Sequence, residues 1–193
     1  MTLSHSTNTG QHAHSERGLD LYETAPCAVE ALLRVEQLPR HVWEPATGRN
    51  AISDVLRAHG HHVVASDIVD YGVPLDFVAD FLTTKKMPAG CSAICTNPPY
   101  QIATDFARHA LDLAPHVYLL CRLAFLESKK RTDILEHRGL ARVFIFRDRL
   151  PMMHRDGWSG PRASNSMAFA WLLWNRQHRG PAELRRISWG REP

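Results

Sequence analysis

The chain has 193 residues, of which 44% are hydrophobic and 22% charged, a length and balance that suit one globular domain with its own core and exclude a wholly disordered chain. No apolar run reaches the roughly 18 residues of a membrane span, the first residues lack the apolar segment of a signal peptide, and the cysteines at 27, 91, 95 and 121 form no C-x-x-C pair; a cytoplasmic protein with reduced thiols and no metal site is expected. The formal charge of +3 hides an asymmetry, with 7 basic against 11 acidic residues over 1–100 and 16 against 9 over 101–193, so the second half is the part suited to a polyanion.

Residues 1–18 are rich in Ser, Thr, Gly and His without periodicity and read as a flexible tail, leaving 19–193 as a single domain. Thr24-Ala25-Pro26 offers a helix start with proline in the first turn, followed by apolar residues at helical spacing up to Pro39. His41-Val42-Trp43 is a short strand, Ile52, Val55 and Leu56 mark a helix closed near Gly60, and His62–Asp67 is a second strand ending in an acid. Together they make a βαβ unit.

A third strand is expected near Phe77–Ala79 and a fourth over Ser92–Thr96, running into Asn97-Pro98-Pro99-Tyr100. A helix carrying Ile102, Phe106, Ala110 and Leu113 follows, then a strand over His116–Leu123, a charged helix over Lys129–Arg138, and strands over Ala141–Phe146 and Met167–Trp174. Phe169, Trp171 and Trp174 read as core residues. Seven strands interleaved with helices predict an α/β fold with a doubly wound, mostly parallel sheet and helices on both faces. Glu183–Trp189 is a candidate edge strand outside that count. Between the last two counted strands, residues 147–165 form the longest loop.

Ligands of open parallel sheets bind beyond the carboxyl ends of the strands, and acids stand at three such ends: Glu44, Asp67 and Asp80. Gly48 lets the first turn approach a ligand closely, and Asp67, 19 residues further on, suits ribose hydroxyls. An adenosine-containing cofactor is the natural expectation. The G-x-G-x-x-G of a dinucleotide site is missing, and an acid ending the first strand repels phosphate while suiting an ammonium. S-adenosylmethionine therefore fits the charge pattern better than NAD.

Each proline of Asn97-Pro98-Pro99-Tyr100 fixes its own φ and holds the preceding residue extended. Such a turn aims carbonyl oxygens one way, where together with the Asn97 amide oxygen they accept the hydrogens of a planar amino group. Tyr100 supplies a flat face for stacking. Positioning and dipoles, without a metal or a strong base, would then carry methyl transfer to that nitrogen.

The ordered set Glu44-Pro45-Ala46-Thr47-Gly48, Asp67, Asp80-Phe81 and Asn97-Pro98-Pro99-Tyr100 resembles the S-adenosylmethionine-dependent amino methyltransferases, above all the DNA N6-adenine enzymes, over roughly residues 20–175. Tyr22-Glu23-Thr24-Ala25-Pro26 is similar to the element that closes over the methionine part of the cofactor in that family. The resemblance implies a Rossmann-like class I methyltransferase fold. It assigns Asn97, Pro98, Pro99 and Tyr100 to catalysis, and Tyr22, Thr24, Pro26, Glu44, Pro45, Ala46, Gly48, Asn50, Asp67, Ile68, Asp80, Phe81 and Asn97 to the cofactor. Asn50 stands where the family's first motif has a second glycine.

Arg147, Arg149, Arg155 and Arg162, with Trp158, are the candidate substrate contacts in the long loop, since cations beside an aromatic suit phosphates and a base. DNA is the favoured partner over RNA. The chain leaves little room for a recognition domain, so a partner protein or a second copy is a candidate source of target recognition. An RNA base, a protein glutamine amide, or a binding module without turnover are the alternatives.

Overall fold

The computed structural model describes residues 23–151 and 167–190; the expected tail, Tyr22, Arg155, Trp158 and Arg162 lie outside them. Four helices and eight strands form: α1 (Pro26–Val35), β1 (His41–Glu44), α2 (Ala51–Ala58), β2 (His62–Asp67), β3 (Phe77–Val78), β4 (Ala93–Thr96), α3 (Ala103–Leu113), β5 (His116–Arg122), α4 (Thr132–Leu135), β6 (Leu140–Phe146), β7 (Phe169–Asn175) and β8 (Glu183–Ile187). They build one sheet in the order β3-β2-β1-β4-β5-β7-β6-β8. All neighbours run parallel except β7, which is antiparallel to both β5 and β6.

Strand residues alternate between two core clusters, as a pleated sheet buried on both sides requires. Val42, Ala93, Cys95, Tyr118 and Leu120 join Ala28, Leu32, Ile52 and Leu56 of α1 and α2. Trp43, Ile94, Val117, Leu119 and Cys121 join Phe106, Ala107 and Ala110 of α3 and Ile134 of α4. The expected core aromatics lock β7 to both layers: the Trp171 indole N–H donates to the Ala28 carbonyl at 2.9 Å, and that of Trp174 to the Ile134 carbonyl at 3.1 Å. Each fully buried apolar side chain of this kind contributes roughly 1.5–3 kcal/mol.

Two expectations need correction. The sheet has eight strands rather than seven, because Glu183–Ile187 pairs in parallel with the outer edge of β6. Only Ile187 of β8 is buried and Leu184 is 63% exposed, so the strand lacks the apolar alternation that marks a half-buried one. The second correction concerns Lys129–Arg138, which is no continuous helix. A 3-10 turn over Lys129–Arg131 precedes the single turn of α4, and Arg131 instead donates to the carbonyls of Ala124, Phe125 and Glu127. With Ile134 alone buried in this stretch, a longer helix gains too little burial to offset its ordering.

Among the described residues no helix is long and apolar enough to cross a membrane. All four cysteines are free thiols. The order of strands reverses between β1 and β4, so a crevice opens beyond their carboxyl ends.

Candidate active site

The loop from β1 to α2 turns sharply because two of its residues are left-handed, Gly48 at φ 54° and Asn50 at φ 67°. Asparagine enters that region more readily than most side chains, so Asn50 supplies the backbone geometry that a second glycine would. Its side chain is buried and its Nδ2 donates to the Pro74 carbonyl at 2.9 Å. The departure from the family motif thus leaves the turn intact.

Asp67 fastens this loop to the end of β2. Its Oδ2 accepts the Gly48 N–H at 2.8 Å and its Oδ1 the Val69 N–H at 3.1 Å. Each carboxylate oxygen keeps a further lone pair, which suits ribose hydroxyls. Beside it Ile68 is 59% exposed and Val78, paired with Asp67 across the sheet, is 56% exposed. An apolar flank next to an acid is the chemistry a nucleoside needs: a wall for the purine, a carboxylate for the sugar.

Asp80 caps the short 3-10 turn Phe81–Thr83, accepting the Leu82 N–H at 2.9 Å. Phe81 is buried in an aromatic cluster, 4.1 Å from the Phe106 ring, 5.2 Å from Trp43 and 4.8 Å from His109. Its ring is a core support of this corner, not an open face for a ligand. Pro45 is buried and Ala46 half-buried; the Ala46 carbonyl faces the Thr96 hydroxyl at 3.5 Å, linking the ends of β1 and β4.

Glu44 does not present a negative charge to the crevice as the sequence suggests. It is 1% exposed, and its Oε2 bonds the hydroxyls of Ser53 and, at 2.9 Å, Thr47. Burial pushes its carboxyl up to about 8. The hydrogen count agrees. The Thr47 hydroxyl also lies 2.8 Å from the Asn50 Oδ1; one hydrogen cannot serve two acceptors, and a proton on Glu44 fills the second bond. Near neutral pH the group is therefore largely a neutral clamp on the loop.

At the end of β4, Asn97 meets the start of α1: its Nδ2 donates to the Thr24 Oγ1 at 3.2 Å across 73 residues of sequence. That bond fixes which way the amide faces. Thr24 is buried, whereas Pro26, also expected near the cofactor, is exposed at the first turn of α1. Pro98 is buried, and Pro99 and Tyr100 are half-buried. The Arg122 guanidinium, ending β5, lies over the Tyr100 ring at 3.9 Å from its centre. Sequence reasoning passed over Arg122, although an arginine closing the apolar run Val117–Cys121 was a usable signal. Arg147 and Arg149 follow β6 and are exposed.

Solved structures share this arrangement. The chain superposes on a Listeria monocytogenes protein described as a class I S-adenosylmethionine-dependent methyltransferase with TM-score 0.57 and 10% identity, covering 83% of this chain and 62% of that one. The fold is that of class I methyltransferases. A Pyrococcus horikoshii protein described as an RNA methyltransferase matches with TM-score 0.59 and 14% identity over 81% of this chain and 88% of its own. A Vibrio vulnificus protein described as the modification subunit of a type I restriction enzyme matches with TM-score 0.56 and 12% identity over 82% of this chain but 45% of its own. The chain thus spans less than two thirds of the Listeria and Vibrio proteins. No family model matches the sequence, and no curated protein does.

Proposed function

We propose that this protein is an S-adenosylmethionine-dependent methyltransferase that modifies a planar amino nitrogen, adenine N6 in DNA. The observation that carries the reading is the Asn97-Pro98-Pro99-Tyr100 turn at the carboxyl end of β4, beside the reversal of strand order, with the Asn97 amide held by Thr24. The two core clusters are, on this reading, the layers of a doubly wound fold. The names of the Pyrococcus and Vibrio proteins that share the fold are consistent with a nucleic-acid substrate.

The residues present fit the cofactor. Asp67 would accept from the ribose, Ile68 and Val78 would flank the purine, and the backbone of Pro45–Gly48 would pass close beneath the remainder. When bound, the cofactor supplies an electrophilic methyl group on a sulfonium. The chain's own residues do the rest by positioning. Asn97 and the carbonyl that follows it accept the two amino hydrogens, which favours a tetrahedral nitrogen with its lone pair directed at the methyl group. Tyr100 offers one ring face to the extruded base. Arg147 and Arg149, with Arg155, Trp158 and Arg162, supply phosphate and base contacts, and a partner protein or a second copy supplies further target recognition. RNA amino groups and glutamine amides share the NH2 geometry and are alternative products of the same chemistry.

Incubation with labelled S-adenosylmethionine and unmethylated DNA, RNA and protein, followed by identification of the modified atom, tests the proposal. N6-methyladenine in DNA is expected. No label in any pool would overturn methyl transfer; label confined to RNA or protein would overturn the DNA assignment alone.

A further inference from the structure

The cation at the end of β5 has an unusual environment. Arg122 is half-buried, its Nε is shielded from solvent without a hydrogen-bond partner, and its guanidinium forms no ion pair or hydrogen bond among the described residues. Its one contact is the Tyr100 ring, itself 6.2 Å from that of Phe169, the residue paired with Arg122 across β5 and β7. Shielding a guanidinium donor and leaving it unbonded is costly unless a ligand completes it. A guanidinium stacked on an aromatic ring directs its N–H groups outward from its edge, in the fork that matches two phosphate oxygens.

We propose that Arg122 is a substrate-binding residue: stacked on one face of Tyr100, it leaves the opposite face to the planar base and donates its N–H groups to a backbone phosphate beside the target nucleotide. The assignment rests on the nucleic-acid reading above and deepens it. It makes the tyrosine a two-sided element, closed by the protein on one side and by substrate on the other. It also separates substrates, since a glutamine side chain carries no phosphate for Arg122 to hold.

Fluorescence anisotropy with a labelled adenine-containing DNA strand, over a range of salt, tests this without requiring turnover. For Arg122→Gln the expected results are binding weaker by about tenfold and a log K against log salt slope shallower by about 0.7. Arg122→Lys should restore the slope and part of the affinity. Calorimetric S-adenosylmethionine binding and the melting temperature serve as controls for folding and should stay near wild type in both variants. An unchanged slope and affinity in Arg122→Gln would overturn the assignment, as would failure of the wild type to bind DNA. If wild-type transfer to DNA persists while Arg122→Gln binds normally, only the Arg122 assignment fails. If wild type transfers only to peptide glutamine, the nucleic-acid reading fails with it.

Discussion

The two sides of the crevice are built differently. On the β1–β2 side the polar side chains are satisfied from within the chain: Glu44 by Thr47 and Ser53, Asn50 by Pro74, Asp67 by the N–H groups of Gly48 and Val69. On the β4–β5 side one amide is oriented by a single bond to Thr24, and a guanidinium rests on an aromatic ring with no hydrogen bond among the described residues. The contrast is that of a site formed in advance against one that its ligand completes. A cofactor used in every turnover benefits from the first, because the ordering is done before binding; a substrate strand with variable flanks suits the second.

The sharpest way to probe the preformed side is through pH. Glu44 has an ordinary value of 4.5 raised to about 8 in the fold, so between these values the folded chain holds a proton that the unfolded chain has released. Its contribution to stability is fully present below about 4.5 and is lost as pH rises to about 8, by at most ~5 kcal/mol. Urea melts at pH 5, 6.5 and 8 should show the folding free energy falling across the series. Glu44→Gln should flatten that dependence, and an equally steep slope in the variant would mean that another group drives it.

Asn50 probes the same side with a smaller effect. Asn50→Val places a β-branched side chain at φ 67° and removes the bond to Pro74, with an expected loss of about 2 kcal/mol in stability. Asn50→Gly keeps the backbone conformation and loses only the side-chain bond, about 1 kcal/mol. Calorimetry should find S-adenosylmethionine affinity reduced in the valine variant and close to wild type in the glycine one. Equal losses in both would show that the side chain, not the turn, matters.

The smallest effect belongs to the ligand-completed side. Thr24→Val removes the acceptor that orients Asn97 while keeping its shape, and should lower kcat by about tenfold, equivalent to roughly 1.4 kcal/mol, with the cofactor KM little changed. An unchanged kcat would show that Asn97 holds its direction without Thr24.

Much of this was readable in the chain itself. The β1–α2–β2 unit announces itself through apolar strands, an amphipathic helix and a terminal acid, all within local sequence. Asn97-Pro98-Pro99-Tyr100 is equally legible because prolines restrict the backbone whatever surrounds them. The misses are features decided by tertiary contacts. β8 is an edge strand with one buried side chain, so no periodicity marked it. Lys129–Arg138 has helix-friendly residues but too little to bury. The Glu44 carboxylate was expected to meet a ligand cation, whereas Thr47 and Ser53, three and nine residues on, close over it. The pairing of Arg122 with Tyr100 joins the ends of two strands and has no local signature beyond a charge closing an apolar run.

The most direct test of the account compares Asp67→Ala with Asn97→Ala in one preparation, measuring S-adenosylmethionine binding by calorimetry and methyl transfer to DNA by nucleoside mass spectrometry. Loss of the Asp67 carboxylate should weaken cofactor binding by about tenfold or more, whereas Asn97→Ala should bind the cofactor within a few-fold of wild type and lose roughly 10²–10³ in transfer rate. An Asn97→Ala enzyme that forms N6-methyladenine at the wild-type rate, or an Asp67→Ala protein that binds the cofactor as wild type does, would contradict it.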